Sequence, residues 1–414
     1  MSLVQHLLEH NRYYNFFGIA VILFIAWLLS HKRSHITLYP IISGLTLQFL
    51  IGFFVLKTTS GSQCVATLAV GVSKLYLCAE SGSAFIFGNL SDSAGSWGFI
   101  FAVKVLPVIV FFGAFTAVLF HFSLIQRMVG AINYVLQPLL GTSGPETLCA
   151  IANSFLGQTE APLLVRQYLK NMTTSELFVV MVSGMATISG AILVVFVAMG
   201  VPATHLLASS VMSIPGSLVI AKIMYPETEK VAHSTDAHVF SERTSHNIFD
   251  AIFIGTSDGL QLAFNVGAML IVFLAFLAGI NSSIGYLSLY IPGITTPLSI
   301  EKIIGFVLAP FGYLMGFTGQ QALQVGELIG TKIAVNELVA YSHLIDMHLP
   351  SRMTDIMTYA LCGFSNFSCI GIQVGGIGAL APEKRPVITR LGLHAVLAGA
   401  LTNTMSAMIA AILM

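Results

Sequence analysis

The chain has 414 residues, of which 56% are hydrophobic and only 9% are charged, and its formal net charge is zero. A soluble domain usually covers its surface with about a quarter charged residues, so this composition indicates a protein that lies in a lipid bilayer. The balanced charge gives no sign of a nucleic-acid partner. The five cysteines show neither CxxC pairs nor metal-ligand spacing, and we expect them to be small core residues.

Long apolar runs follow one another along the whole chain. Because about 30 Å of hydrocarbon requires about twenty helical residues, each run of that length predicts one membrane crossing. Eight crossings are expected, at residues 15–31, 36–57, 98–121, 175–200, 203–224, 263–283, 353–379 and 388–413. Residues 58–97, 122–143 and 284–318 are amphipathic or interrupted by glycine and serine, which favours interfacial helices. Residues 226–247 form the one clearly aqueous loop.

The lysine and arginine residues lie mostly in connections on the same side of the membrane as the loop after the first crossing. An excess of positive charge marks the cytoplasmic side. Since an even number of crossings returns the chain to the side where it started, we expect both termini to lie outside the cytoplasm.

Two segments, 144–172 and 319–345, contain short apolar arms around a polar centre, and neither arm is long enough to cross the membrane. Irregular backbone at membrane depth is tolerated only where it is buried in protein or lines a cavity. We therefore expect two re-entrant hairpins. The tip of the first is Gln158–Glu160, followed by Pro162, which resists a continuous helix, and the second carries Glu337.

Each hairpin is followed by an apolar span that polar residues interrupt. The interruptions are Met185–Gly190 in the span 175–200 and Gly363–Gly371 in the span 353–379. A hairpin with an acidic residue followed by a broken helix, present twice, is typical of secondary transporters with internal repeats. An odd number of crossings between the two units inverts the second relative to the first, so both carboxylates are expected near the membrane midplane.

The predicted fold is an all-α polytopic membrane protein with eight transmembrane helices, two re-entrant helical hairpins in an inverted repeat, and interfacial helices. The scaffold comprises 1–143 and 201–318, the latter with the cytoplasmic loop 226–247 and a segment near 255–265 that contacts substrate. The two transport units comprise 144–200 and 319–379, and the last span lies within 380–414.

The polar residues of the two transport units are rich in carboxylates and amides and poor in cations. An ionised side chain at membrane depth is costly, so it is a functional candidate by default. A scarcity of cations disfavours anionic substrates. A carboxylate accepts hydrogen bonds from two hydroxyls, a glutamine amide matches a nucleobase edge, and Phe364 offers an aromatic face. A neutral solute with a sugar end and an aromatic end fits best, and an amino acid or a plain sugar stays open.

Neutral oxygen donors lie beside the same tips. Asn153 precedes the first tip and Thr187 falls in the first interruption. Amide, hydroxyl and unwound backbone oxygens hold small cations in broken transporter helices, so a weak, releasable sodium site is expected here. No other cofactor is expected.

Three segments together resemble the concentrative nucleoside transporters of the bacterial sodium-coupled kind: "NSFLGQTEAPLLVRQYLKNMTTSELF", "NELVAYS" and "ALCGFSNFSCIGI". Their order and spacing agree from about Gly98 to the C-terminus, and residues 1–97 match more loosely. The resemblance implies sodium-coupled nucleoside import by a homotrimer in a bacterial inner membrane. It also implies that a hairpin domain moves across the bilayer against a trimerising scaffold.

The resemblance assigns roles to individual residues. The substrate-binding residues are Gln158, Thr159, Glu160, Ile192, Leu262, Glu337, Phe364, Asn366 and Cys369. The sodium ligands are Asn153, Thr187 and the backbone carbonyls of Leu156 and Ile188. Cys369 stands where the family has a ribose-binding serine, and a thiol is a weak hydrogen-bond donor, which puts ribose affinity and 3′-hydroxyl selectivity in question.

Two other interpretations stay open. The first is a cation-coupled transporter of another neutral polar solute, such as an amino acid. The second is an intramembrane serine hydrolase, because "GTSDG" (Gly255–Gly259) matches the G-x-S-x-G pattern with Ser257 at its centre. That pattern requires a strand-to-helix turn, whereas here it precedes a membrane span, so we do not expect an enzyme.

Overall fold

The computed structural model describes residue 5 and residues 8–92, 97–98, 100–229, 245–290 and 297–414. These parts of the chain are helical, and no β-strand occurs among them. Most of the predicted aqueous loop at 226–247 lies outside the described residues.

Eighteen α-helices follow one another in the described residues. They are α1 (Tyr13–Leu28), α2 (Leu38–Lys57), α3 (Thr59–Phe87), α4 (Phe101–Lys104), α5 (Leu106–His121), α6 (Leu124–Leu140), α7 (Gly144–Asn153), α8 (Arg166–Leu169), α9 (Thr174–Ala186), α10 (Gly190–Ala198), α11 (Ala203–Met224), α12 (Ile248–Ser288), α13 (Ile300–Leu314), α14 (Gln320–Ala334), α15 (Glu337–Asp346), α16 (Ser351–Leu361), α17 (Phe367–Leu380) and α18 (Arg385–Leu413).

Among the described residues, eight helical stretches are long and apolar enough to cross a membrane, judged by length and composition alone. The number equals the predicted one, but the membership differs. Thr59–Ser91 is one of the eight, although the sequence predicts interfacial helices for residues 58–97. The predicted span 353–379 does not belong, because it is divided between the short helices α16 and α17.

The helices form a buried inner group and an exposed outer group. In the most apolar window of α11 and of α18, 89% of the residues are buried, against 6% for α12 and 11% for Thr59–Ser91. Helix α18 packs against α1, α9, α11, α16 and α17. The protein core therefore surrounds α18, while α3 and α12 present apolar side chains to their surroundings.

The outer helix α12 packs closely on α5 through Gly255 and Gly259. A Cβ on Gly259 would lie 2.9 Å from the Cα of Val110, so only glycine permits this approach of the two backbones. These glycines are the two ends of the G-x-S-x-G pattern. The pattern lies inside a helix with Ser257 exposed, and not at a strand-to-helix turn, so the hydrolase interpretation is wrong.

Candidate functional site

Two interrupted helices define the site. Helix α9 ends at Ala186 and the chain resumes as α10 at Gly190, while α16 ends at Leu361 and the chain resumes as α17 at Phe367. Both interruptions overlap the segments that the sequence predicts. The backbone between the helix halves therefore offers N–H and C=O groups that are not used within a helix.

Each interrupted helix restarts at a side-chain cap. The Ser189 hydroxyl accepts a hydrogen bond from the backbone N–H of Ile192 (3.3 Å), and Asn366 Oδ1 accepts one from the backbone N–H of Cys369 (3.0 Å). Serine and asparagine are preferred at this position because their oxygens satisfy an otherwise unpaired donor of the first turn. The cap on α17 also fixes the orientation of Asn366.

The two interruptions contact one another. The backbone N–H of Phe364 donates a hydrogen bond to the carbonyl oxygen of Thr187 (3.3 Å). The adjacent Gly363 passes so close to α9 that a Cβ there would lie 2.8 Å from the carbonyl oxygen of Met185. The unwound segments of both helices therefore meet in one place.

Hairpin 1, residues 144–169, consists of α7, a non-helical tip, a 3-10 turn at Ala161–Val165 and α8. Pro162 lies in the first turn of that 3-10 segment, where its missing N–H costs no hydrogen bond. The carbonyl oxygen of Phe155 in the tip accepts a hydrogen bond from the backbone N–H of Gly190 (3.1 Å). The tip is thereby attached to the first interruption.

A buried polar cluster holds the base of hairpin 1. Glu146 Oε1 accepts a hydrogen bond from the backbone N–H of Ser143 (2.7 Å), and Glu146 Oε2 lies 2.7 Å from Lys222 Nζ on α11. The Ser143 hydroxyl donates to Glu176 Oε1 on α9 (2.6 Å). Because buried charges are stable only when paired and hydrogen-bonded, this cluster ties the hairpin to α9 and α11.

Hairpin 2, residues 320–346, consists of α14 and α15. Asn336 caps α15, its Oδ1 accepting a hydrogen bond from the backbone N–H of Val339 (2.9 Å). Glu337 follows as the first residue of α15 and is 4% exposed. A carboxylate at a helix N-terminus interacts favourably with the partial positive charge there.

A continuous string of hydrogen bonds joins four of the predicted substrate residues. Gln158 Nε2 donates to Cys369 Sγ (3.1 Å), and Asn366 Nδ2 donates to Glu337 Oε2 (2.9 Å). The α17 cap between Cys369 and Asn366 completes the string. The structure thus brings the tips of both hairpins to the second interruption, and Gln158 Oε1 is left buried without a hydrogen-bond partner.

Three further predicted residues lie beside this string. Thr159 packs against α17, since a Cβ on Gly376 would lie 2.8 Å from the Thr159 methyl group. Glu160 Oε2 accepts a long hydrogen bond from the backbone N–H of Gly157 (3.4 Å). Ile192 is 5% exposed on α10. Thr159 and Glu160 belong to the tip of hairpin 1, and Ile192 to the first turn of α10.

Leu262 is not joined to the string. It is 40% exposed on the outer helix α12, whose main packing partner is α5. Asp258, one turn earlier on α12, interacts electrostatically with Glu160. This turn of α12 is therefore near hairpin 1, while Leu262 itself lies outside the string of hydrogen bonds.

The predicted sodium ligands are linked through Ser183 of α9. Asn153 Nδ2 donates to the Ser183 hydroxyl (2.9 Å), and the Thr187 hydroxyl donates to the Ser183 carbonyl oxygen (2.8 Å). Leu156 and Ile188, the two backbone ligands, are each 1% exposed.

One atom of this group is buried without a hydrogen-bond partner, namely Asn153 Oδ1. An unpaired buried amide oxygen among neutral oxygens fits a small hard cation, which binds oxygen ligands. Across the described part of the chain, no cluster of three His, Cys, Asp or Glu residues could hold a metal ion. The donor set therefore fits sodium better than a transition metal.

Sequence reasoning misses four buried polar residues around the site, namely Ser183, Gln373, Lys332 and Asn403. Gln373 Nε2 donates to the carbonyl oxygen of Met181, linking α17 to α9 (2.9 Å). A polar side chain inside an apolar helix is the signal that marks all four, but the partner of each lies far away in sequence.

A helical chain in which two interrupted helices meet at the polar tips of two hairpins has the architecture of a membrane-embedded secondary transporter. Sequence profiles of three domains match it: "Na+ dependent nucleoside transporter N-terminus" at 17–90, "Nucleoside recognition" at 102–203 and "Na+ dependent nucleoside transporter C-terminus" at 205–411. The chain belongs to the Na+-dependent, or concentrative, nucleoside transporter family, whose members are transporters and not enzymes.

Relatives match over nearly the whole length. An uncharacterized transporter of Haemophilus influenzae is 42% identical, with 95% of each chain covered. The nucleoside permease NupC of Helicobacter pylori is 38% identical over 95% of this chain and 96% of its own. CNTnw in an inward-facing, substrate-bound state superimposes with a TM-score of 0.90 at 38% identity, covering 97% of both chains. A CNTnw variant in an outward-facing state gives 0.92 at 37% identity, covering 97% of this chain and 98% of its own.

Proposed function

We propose that this chain imports nucleosides together with sodium by alternating access across a bacterial inner membrane. Family membership supports the transporter class. The observation that carries the proposal is the string of hydrogen bonds from Gln158 through Cys369 and Asn366 to Glu337. It places an amide and a carboxylate together in one buried site, which suits an uncharged solute.

The two ends of the string suit the two ends of a nucleoside. Gln158 Oε1 has no partner, and an unpaired buried oxygen costs about 1–3 kcal/mol, so a nucleobase N–H that donates to it is favoured. Glu337, held by Asn366, accepts hydrogen bonds from ribose hydroxyls. Phe364 and Ile192 provide apolar surface for the base, while Thr159 and Glu160 complete the tip of hairpin 1.

Sodium binds in this proposal to Asn153 Oδ1, the Thr187 hydroxyl and the carbonyls of Leu156 and Ile188. The ion site and the substrate site share backbone, since the carbonyl of Thr187 accepts the hydrogen bond from Phe364. An ion that orders the first interruption therefore also orders the second. This shared backbone is the physical basis for coupling solute uptake to the sodium gradient.

Alternating access follows from a division between inner and outer helices. In this proposal both hairpins and both interrupted helices move as one packed unit, as an elevator, against a scaffold that includes α3 and α12. The low burial of those outer helices supports a role in contacts with lipid and with the other protomers of a trimer. The proposal also puts both termini on the periplasmic side.

Uptake into proteoliposomes tests the proposal. Labelled uridine should accumulate when sodium is high outside and should not accumulate when choline replaces sodium. Unlabelled uridine should compete, whereas alanine and glucose should not.

Each alternative gives a different result in the same assay. Competition by alanine would favour a transporter of another neutral solute. Accumulation that ignores sodium and follows a proton gradient would contradict the assignment of Asn153 and Thr187 as sodium ligands.

A further inference from the structure

One buried cation of hairpin 2 has no part in the site described so far. Lys332 of α14 is 1% exposed and is among the largest fully buried side chains. Its Nζ donates to the carbonyl oxygen of Ala360 (3.0 Å) and to Asn403 Oδ1 (2.6 Å). Within the described residues no carboxylate lies within 4.0 Å of this nitrogen, so its hydrogen-bond partners are neutral oxygens.

The second partner, Asn403 of α18, reaches both interrupted helices. Its Nδ2 donates to the carbonyl oxygens of Ala186 (2.7 Å) and Cys362 (2.8 Å). Two acceptors on one side of the amide fix which end is nitrogen, so Oδ1 is the end that faces Lys332. One amide group thus links the ammonium to both interruptions.

The three backbone carbonyls bound by Lys332 and Asn403 lie where two helices end. Ala186 is the last residue of α9, and Ala360 and Cys362 lie at the end of α16. Helix C-termini carry unpaired carbonyls and a partial negative charge, which favour a cation. One carbonyl oxygen and one amide oxygen hold the ammonium of Lys332. Oxygen ligands of this kind are what broken transporter helices offer to alkali ions, and here the positive centre is fixed to the chain.

We propose that Lys332 is a positioning residue, a tethered cation that works through Asn403 to couple hairpin 2 to the sodium site. The inference rests on the proposed sodium-coupled function. Lys332 and the substrate carboxylate of Glu337 belong to the same hairpin, whereas Ala186 directly precedes the sodium ligand Thr187. Beside the direct hydrogen bond from Phe364 to Thr187, this gives a second path between substrate and ion, from Lys332 to Asn403 and from Asn403 to Ala186.

The physical effect is a shared ordering of two parts. Sodium fixes the backbone that follows Ala186, which holds the carbonyl acceptor of Asn403 in place. Asn403 then holds the ammonium of Lys332, and with it the arm of hairpin 2 that leads to Glu337. Each ligand therefore lowers the cost of ordering the site for the other, which is positive coupling.

Equilibrium binding of labelled uridine to the purified protein tests this path. The measured quantity is the ratio of uridine affinities at saturating sodium and in choline alone. Lys332→Met removes the charge at similar length, and Asn403→Asp keeps the acceptor for Lys332 but loses both N–H donors. Lys104→Met is the matched control, because Lys104 is a buried lysine paired with Glu80 (2.5 Å) outside the hairpins and interrupted helices.

We expect a sodium ratio for the wild type and for Lys104→Met in the usual range of allosteric coupling, about 5- to 150-fold. In Lys332→Met and Asn403→Asp the ratio should fall toward one, with less change in the affinity measured without sodium. A purely structural role would instead lower both affinities equally and leave the ratio intact.

The inference is overturned if Lys332→Met melts cooperatively and keeps the wild-type ratio. If Lys332→Met does not fold, Asn403→Asp decides in the same way: a lowered ratio supports the path and a wild-type ratio refutes it. Failure of the proposed function appears separately in the wild type, as absent uridine binding or as binding that sodium does not alter, and the inference then falls with it.

Discussion

Gln158 and Cys369 form an uncommon pair, an amide donor on a thiol acceptor at 3.1 Å. Sulfur accepts hydrogen bonds weakly, so this contact stabilises the closed tip less than a contact with oxygen does. The thiol is itself 3% exposed and stands beside Asn366, the residue that orients Glu337. In the proposed site, the strength of substrate binding therefore depends on a sulfur atom at the centre of the string.

Replacing this sulfur with oxygen should strengthen binding. In Cys369→Ser the hydroxyl is a better acceptor for Gln158 and a better donor to ribose, and a neutral hydrogen bond contributes about 0.5–1.5 kcal/mol. We expect uridine affinity to rise by about two- to tenfold. Competition assays with uridine and 3′-deoxyuridine measure the change, and a gain confined to uridine locates the contact at the 3′-hydroxyl.

The corresponding control is Cys149→Ser, a buried cysteine on α7 outside the string. Its substitution should leave the preference between the two nucleosides unchanged. If Cys369→Ser binds uridine and 3′-deoxyuridine each with the wild-type affinity, position 369 has no part in ribose recognition.

Neutralising Glu337 should remove most uptake. Glu337→Gln replaces an ionised acceptor with an amide, and hydrogen bonds to charged groups contribute about 1.5–3 kcal/mol. We expect kcat/KM for uridine to fall by about 10- to 100-fold while the melting temperature stays close to wild type. Asp346→Asn, an exposed acid at the far end of the same helix, is the control and should transport normally. Unchanged uptake in Glu337→Gln would contradict the assignment of Glu337 to the site.

Removing the amide of Asn153 should weaken sodium dependence. Asn153→Leu lacks Oδ1 and the hydrogen bond to Ser183, so the site loses one oxygen ligand and the link from hairpin 1 to Ser183 and Thr187 on the first interrupted helix. We expect the sodium concentration for half-maximal uptake to rise at least about tenfold, the effect of losing roughly 1.4 kcal/mol of binding. Uptake against sodium concentration gives the value.

The neighbouring Ser154→Ala serves as the control for Asn153. Ser154 is buried next to it, but its hydroxyl donates to the carbonyl of Ser210 on α11 and not to the ion site. A similar sodium shift in both variants would show that the effect is general destabilisation of hairpin 1.

The types of the site residues are visible in the sequence, but most of their partners are not. Acids and amides stand out in an apolar chain, which is why Gln158, Glu337 and Asn366 are predicted as site residues from sequence alone. Asn403 is different, because its role depends on carbonyls that lie more than 40 residues away on two other helices. Such contacts are set by tertiary packing, which no local pattern encodes.

At the level of elements, polarity within an apolar run is a reliable guide to interruption. Both interruptions overlap the predicted segments because serine and asparagine side chains there hydrogen-bond backbone groups outside a helix, and glycine has a low helix propensity. The same reasoning fails for α3, where glycine and serine also occur but the helix continues. Gly71 and Gly82 of α3 have open space around them, so the helix continues through these glycines and is not interrupted there.

The contact between α5 and α12 should fail when its glycine is enlarged. In Gly259→Val the new side chain meets the backbone of Val110, and overpacking of this kind costs about 1–3 kcal/mol. We expect a lower melting temperature in detergent. Gly279→Val on the same helix meets nothing within 4 Å and carries the same change in helix propensity, so it should melt like the wild type. Equal melting of both variants would show that the close contact contributes little.

At the scale of the whole molecule, the sequence predicts the helical membrane class, but not that the last helix, α18, is the centre of the core. Composition and run length suffice for the class, and polar interruptions indicate where the buried helices meet. The crossing directions, the inverted repeat and the domain boundaries stay predictions, since they depend on a bilayer and on partner protomers.

The exposed outer helices lead to a prediction about assembly. Helix α12 is long, apolar and almost unburied, and exposed apolar surface of this extent is covered by lipid or by another protein surface. We expect light scattering in mild detergent to give three times the protomer mass. Phe276→Glu, at an exposed side chain of α12, should reduce that mass. Phe85→Glu, at an exposed side chain of α3, tests whether a charge at any exposed phenylalanine has the same effect. A wild-type mass of one protomer would contradict the trimer.

The Cys369 thiol, covered by Gln158 at the tip of hairpin 1, also offers a way to measure how often that tip moves in the proposed transport cycle. Cys64 and Cys78 are exposed, whereas Cys149, Cys362 and Cys369 are buried. With the other four cysteines replaced by serine, a small maleimide should react with Cys369 only during the moments when Gln158 moves away. The alkylation rate of Cys369 then measures how often Gln158 moves away, without an attached fluorophore, and a bound nucleoside should lower that rate.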